Sequence, residues 1–197
     1  MIPLEPDKYY HIYNHGNAND NVFRNNDNYK FFLKKFNNYI SPIAKTFVYC
    51  LMPNHFHFLV KIKKEKIVFN FFRKTFPKFQ TLEKLDNKLI SKQFAKLFSC
   101  YTQSFNKQNN RKGSLFIKNF KRKNIDTENY LKRTIIYIHQ NPVNHGFCDN
   151  INKWKYSSYN SIISDKPTVL QKEEVISLFE DIDNFIYCHK TDPDIEI

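Results

Sequence analysis

The chain has 197 residues, 31 of them lysine or arginine against 19 aspartate or glutamate, a formal net charge of +12. With 41% hydrophobic and 17% aromatic residues it can build a packed core, which excludes an intrinsically disordered chain; three glycines exclude collagen-like and glycine-rich repeats. No apolar run reaches the roughly 18 residues of a transmembrane helix. The acidic, proline-containing start, Met1 to Tyr10, lacks the apolar stretch of a secretory signal, so a cytoplasmic protein with no membrane partner is expected. The four cysteines, Cys50, Cys100, Cys148 and Cys188, form no C-x-x-C pair, which argues for reduced thiols.

The positive charge favours a polyanionic partner, nucleic acid before an anionic surface. It is unevenly spread: residues 1–164 carry +18 and residues 165–197 carry −6. The chain is therefore expected to divide into a basic body, 1–164, and an acidic C-terminal appendage, 165–197, which either trails in solvent or folds back over the basic surface.

In chain order, Lys8 to Asn14 reads as a strand rich in aromatics. Asp27 is expected to cap a helix with apolar residues at Tyr29, Phe32, Leu33, Phe36, Tyr39 and Ile40, stopped by Pro42. Thr46–Met52 and His55–Ile62 read as a hairpin turning at Pro53-Asn54. A helix is expected from about residue 65 up to Pro77. Lys88 to Gln108 is an amphipathic helix whose stripe is Ile90, Phe94, Leu97, Phe98, Tyr101 and Phe105. Residues 107–124 form a basic loop in which Leu115-Phe116-Ile117 reads as an edge strand. Asp126 is expected to cap a further helix, with Ile125 stapled to Tyr130, a stripe of Tyr130, Leu131, Thr134, Ile135 and Ile138, and an end at Asn141-Pro142. A last helix starts near Gln171. Helices interleaved with a hairpin favour an α+β fold with an antiparallel sheet, and no glycine-rich phosphate loop is present.

Three features bear on chemistry. His55 and His57 are two apart on a strand, so their imidazoles share one face while Phe56, Phe58, Val60 and Ile62 point the other way into a core. Two neutral imidazoles side by side can seat a divalent metal, although H-x-H alone also occurs on plain solvent-facing strands. Tyr101 lies mid-stripe, where core packing is the commoner role. If its helix covers the histidine face, its phenol points at the metal seat and can attack phosphorus. The basic segment Lys107, Arg111, Lys112, Lys118, Lys121, Arg122 and Lys123 has no acid within it and interleaves Phe116 and Phe120, a pattern able to hold a DNA backbone and stack bases, or simply a solvated loop over two core rings. His11, His15, His139, His145 and His189 carry less of the argument, and neither H-E-x-x-H nor G-x-S-x-G occurs.

Leu51-Met52-Pro53-Asn54-His55-Phe56-His57 resembles the HUH motif (histidine, bulky apolar, histidine) of single-tyrosine transposases, and is most similar to the REP-associated tyrosine transposases, relatives of bacterial insertion-sequence enzymes. Further segments agree in order over roughly residues 8–160: Tyr10 to Gly16 resembles the opening strand, Tyr101 to Asn106 with Arg111 to Phe116 the tyrosine helix and following loop, Tyr137 to Val143 a later helix end, and Trp154 to Tyr159 the next segment. The resemblance implies a ferredoxin-like α+β domain with a central antiparallel sheet and helices on its faces. It implies Mg²⁺ or Mn²⁺ on His55 and His57, and Tyr101 as the nucleophile that cleaves and rejoins single-stranded or hairpin-flanked DNA through a 5′-phosphotyrosine, in a monomer or homodimer. In related insertion-sequence enzymes a glutamine one helical turn after the tyrosine completes the metal site. Phe105 stands there in this chain, which leaves Asn106 and Gln108 as candidates for the third ligand. The alternative is a domesticated relative that binds hairpin or single-stranded nucleic acid without cutting it; a weaker one is a metal-dependent ribonuclease using the histidines.

Overall fold

Four strands make one antiparallel sheet: β1 (Tyr9–His15), β2 (Ala44–Met52), β3 (His55–Ile62) and β4 (Lys121–Ile125), in the spatial order β2-β3-β1-β4. The computed structural model describes residues 2–75 and 87–191. Helix α1 (Asn26–Ile40) connects β1 to β2, and α2 (Glu65–Thr75) and α3 (Asn87–Gln108) lie between β3 and β4. After β4 come α4 (Glu128–Asn144), α5 (Tyr159–Ile163), α6 (Lys172–Ser177) and α7 (Ile182–Thr191). The strand order and the β1-α1-β2-β3-α3-β4 succession are ferredoxin-like, the α+β class expected from the sequence.

Side-chain alternation on β3 sets the two layers. Phe56, Phe58, Val60 and Ile62 are buried in a first core with Phe32 and Phe36 of α1, Val68 and Phe72 of α2, and Phe94, Leu97 and Phe98 of α3. Phe36 stacks on Phe58 with ring centroids 3.9 Å apart. Both crossovers put their helices on this face, as right-handed connections between parallel strands require. His55, His57 and Leu59 point to the opposite face. There Val48, Met52 and Leu59 form a second core with Leu131, Ile135 and Ile138 of α4 and with Tyr159, Val175 and Phe185 of the C-terminal helices.

Several element ends differ from expectation. The cap of α1 is Asn25, whose side chain accepts from the Asn28 N–H at 3.0 Å; Asp27 sits inside the first turn, where its charge still meets the positive helix end. Thr127 rather than Asp126 caps α4, accepting from Tyr130 N. Pro142 does not end α4, because in the last turn it removes only one ladder bond, and the helix closes with His145 N donating to Asn141 O. The edge strand is Lys121–Ile125; Leu115–Ile117 contributes only single bonds to the end of β1. Pro77, the expected end of the helix after β3, lies outside the described residues.

The acidic segment is built into the second core as far as Thr191. Leu170, Val175, Phe179 and Phe185 are buried, and Lys45 of β2 pairs with Glu174 at 2.6 Å. On α4, His139 Nδ1 lies 2.9 Å from His189 Nε2 of α7, and its Nε2 lies 2.8 Å from Ser158 Oγ. Burial pushes His189 down to about 4 and holds His139 well below the usual histidine range, lowered further by its neighbour His189. Such groups are neutral in the fold and take up protons on unfolding. Their contribution is complete above an unfolded pKa of about 6.5 and is lost as pH falls through the folded values. We predict a thermal unfolding midpoint that holds near pH 7 and drops steadily as pH falls from about 6.5 to 4; a midpoint unchanged at about pH 4.5 would contradict neutral burial.

Candidate functional site

The antiparallel register gathers the histidines. His15 pairs with His55, Tyr13 with His57, and His11 with Leu59, so His11, Tyr13, His15, His55 and His57 share one sheet face. Helix α4 closes over this face. Its Tyr137 meets His57 edge-on at 5.6 Å and His11 at 5.9 Å between ring centroids, and His145, just past its end, meets His55 at 4.9 Å. The cluster is graded in depth. His15 and His145 are exposed at the mouth, Tyr13 and Tyr137 are half-buried, and His55, His57 and His11 are buried beneath.

Burial and the surrounding histidines hold the inner rings neutral. His55 is pushed down to about 4, first by burial and then by His15 and His145, against a small opposing effect of Asn141. His57 is held well below the usual range by burial and then by His11, and His11 is pushed to about 3 by burial and then by Lys123. Neutral rings keep a lone pair each. His55 Nδ1 faces Asn54 Oδ1 at 2.6 Å, while its Nε2 faces Asn141 Oδ1 at 3.5 Å. The Asn141 amide is fixed in that sense because its Nδ2 donates to Tyr137 O at 3.1 Å. A neutral imidazole has one proton for these two oxygens, and the shorter contact takes it. The His55 Nε2 lone pair is therefore left facing the Asn141 oxygen. Among the described residues no three His, Cys, Asp or Glu side chains are grouped to hold a metal; the side chain that faces His55 Nε2 is the carboxamide of Asn141.

The expected nucleophile is elsewhere. Tyr101 lies on the phenylalanine face, 4.9 Å edge-on to Phe32, fully buried, with its hydroxyl donating to Val22 O at 2.6 Å. Burial raises its pKa far above the ordinary phenol value. The reason is the crossover geometry: an apolar stripe with Phe94, Phe98 and Phe105 packs where the sheet presents Phe56 and Phe58, and that face excludes the histidines. The two amides proposed as third ligands are on the same wrong side and already paired. Asn106 donates to Gly113 O and accepts from Arg111, and Gln108 Oε1 accepts from Asn28 Nδ2 at 2.7 Å.

The basic segment divides. Lys107, Lys112, Lys118 and Lys121 are exposed. Lys121 and Lys123 of β4 pair with Tyr13 and His11, which puts them beside the histidine face. Arg122 points the other way, buried over the Phe120 ring at 4.2 Å with Nη1 donating to Ser91 Oγ. Phe116 and Phe120 are buried in the first core rather than presented for stacking. Arg111 is a structural cation: its Nε and Nη2 both donate to Asp20 Oδ2, and it also reaches Asn106 Oδ1 and Ser114 O. It thereby pins the 109–115 loop to the turn after β1, where Gly16 lies so close to Asp20 O that a Cβ would meet it at 2.2 Å.

The neighbours of His55 and His57 that the sequence reading did not single out are Tyr137, Asn141 and His11. The signal was present: Tyr137 and Asn141 continue, at helical spacing, the edge of the α4 stripe formed by Tyr130 and Thr134, with an amide one turn after a tyrosine. No protein-family model matches the chain, and no curated protein matches it. Among solved structures the fold is similar to that of a REP-associated tyrosine transposase bound to a REP hairpin, with a TM-score of 0.58 and 13% identity over 85% of this chain and 86% of that one. This establishes the fold. Among the described residues no helix is long and apolar enough to cross a membrane. We predict that Arg111→Ala lowers stability to urea by about 1–2 kcal/mol; an unchanged urea midpoint would contradict this structural role.

Proposed function

We propose that the protein is a metal-dependent strand-transferase acting on single-stranded, hairpin-flanked DNA, with Tyr137 as nucleophile and His55, His57 and Asn141 holding Mg²⁺ or Mn²⁺. The observation that carries the reading is the convergence of Tyr137 and Asn141, one turn apart on α4, onto the two histidines of β3. The His55 Nε2–Asn141 Oδ1 separation of 3.5 Å with two lone pairs face to face is poor for a hydrogen bond. It is close to the spacing of about 3.0–3.4 Å between two ligands that share one small cation. The fold similarity to a transposase described with a DNA hairpin supports the same substrate class. When bound, the metal supplies Lewis-acid polarisation of the scissile phosphate.

The chain's own residues do the rest. Tyr137 is half-buried beside His57, accessible from the mouth marked by His15 and His145. Its Oη attacks phosphorus, a Tyr–O–P bond forms, and the bond from phosphorus to the 3′ oxygen breaks. The phenolic proton leaves to solvent, and the departing oxygen takes one up as a free 3′-OH. Rejoining is the reverse attack of a 3′-OH on the phosphotyrosine, so no external energy source is needed. Lys121 and Lys123 hold the DNA backbone beside this face.

The test is a denaturing gel of protein with labelled single-stranded hairpin DNA from the gene's flanks. With Mn²⁺ the wild type forms a protein-sized labelled adduct and with EDTA it does not. Tyr137→Phe abolishes the adduct but keeps salt-sensitive binding, whereas Tyr101→Phe keeps the adduct and loses about 1 kcal/mol of stability with the Val22 bond. An adduct that survives Tyr137→Phe would sink the assignment. Binding on a native gel with no adduct in Mn²⁺ would favour a non-cutting hairpin-binding protein. A second prediction concerns Asn141: Asn141→Ala weakens Mn²⁺ binding by calorimetry at least about tenfold while Asn106→Ala leaves it unchanged, and equal effects of the two would contradict the ligand set.

A further inference from the structure

Beneath the two β3 histidines lies a third that the metal chemistry does not itself require. His11 Nε2 is 2.7 Å from His57 Nδ1, the rings stacked at 5.0 Å between centroids. His11 is 2% exposed, and its other nitrogen, Nδ1, is buried with no hydrogen-bond partner. An orphaned ring nitrogen in a core is costly, and a leucine or phenylalanine would fill the space between Tyr13 and Tyr137 without that cost. The proton count shows what the histidine does that an apolar residue could not. The two neutral rings carry two protons, and one lies between them. If it sits on His11 Nε2, then His57 must keep its own proton on Nε2, and that nitrogen has no lone pair to give. If it sits on His57 Nδ1, the His57 Nε2 lone pair is free, and the His11 proton moves to the orphaned Nδ1. Only the second arrangement lets His57 ligate through Nε2, and it needs an acceptor at the position of His11 Nε2.

We infer that His11 is a positioning residue: its Nε2 accepts the Nδ1 proton of His57 and so fixes the tautomer in which His57 binds a divalent metal through Nε2. The inference rests on the metal site proposed above. His55 is served in the same way by Asn54 Oδ1, 2.6 Å from its Nδ1, so each histidine of β3 has its own acceptor, one from the preceding turn and one from β1. Acceptors that hold the far nitrogen of a metal-binding histidine change metal affinity about 10–100-fold in other sites.

The experiment measures Mn²⁺ binding to the full chain by calorimetry, with folding of each variant checked by circular dichroism and thermal unfolding without metal. His11→Leu removes the acceptor and raises the Mn²⁺ Kd about 10–100-fold. His11→Gln puts an amide oxygen near the place of Nε2 and stays within a few-fold of wild type. His11→Asn, polar but too short to reach, behaves like His11→Leu and serves in its place if the leucine variant does not fold. If His11→Leu or His11→Asn binds Mn²⁺ as wild type does, or if His11→Gln loses as much as His11→Leu, the positioning role is wrong while the metal site stands. If the wild type itself binds no Mn²⁺, both the site and this role fall.

Discussion

The structure depends on one constraint: successive side chains of β3 must face opposite ways. His55 and His57 go to one side of the sheet, and Phe56 and Phe58 to the other. A one-residue slip would exchange the two sets, moving phenylalanines into the cleft under α4 and driving neutral imidazoles among the aromatic rings of α1 and α3. The register is held on both sides of β3, by β1 and β2, and the aromatic packing of Phe36 on Phe58 fixes which face is the core. The chemistry of the histidine face is therefore positioned by the hydrophobic effect acting on the other one.

The same alternation explains what the sequence disclosed and what it concealed. The amphipathic stripes of α1 and α3, the hairpin of β2 and β3 and the α+β class follow from periodicity, because burial of one face is the dominant local demand. The pairing of His55 with His57 is equally legible, since strand geometry leaves no choice. The proposed nucleophile is a different matter. Which helix covers which face is a property of crossover handedness and strand order, and both β-α-β connections lead to the phenylalanine side. Tyr101, the most conspicuous tyrosine of an apolar stripe, is for that reason a core tyrosine bonded to Val22 O. Tyr137 is less conspicuous because it lies beside the stripe of α4 rather than in it, at the border between core and cleft.

The proposed third donor shows the same logic. An amide one helical turn beyond a tyrosine is absent on α3, where Phe105 occupies that position, and present on α4 as Asn141. Its orientation is set by its own backbone: Nδ2 bonds the carbonyl of Tyr137, which turns Oδ1 towards His55. Helix α4 is held in turn by the acidic C-terminal segment, through the buried contact of His139 with His189. Charge alone separates residues 165–197 from the body; packing joins residues 165–191 to it through apolar side chains spaced among the acids, such as Val175, Phe179 and Phe185. Basic residues divide in the same fashion. Arg111 and Arg122 are engaged in internal bonds, whereas Lys121 and Lys123 of β4 pair with Tyr13 and His11 beside the histidine face, where the proposed DNA contact falls.

In the proposed site the two histidines of β3 and helix α4 form one seat for a divalent metal, on the face of the sheet away from Tyr101. A crystal structure of the protein with Mn²⁺, read in anomalous difference density, tests it most directly. The expected result is a single strong peak about 2.1 Å from the Nε2 atoms of His55 and His57 and from Asn141 Oδ1, with the Tyr137 hydroxyl opening onto the same cleft. A fully loaded crystal with no peak between β3 and α4, or with its peak on the phenylalanine face beside α3, would contradict it.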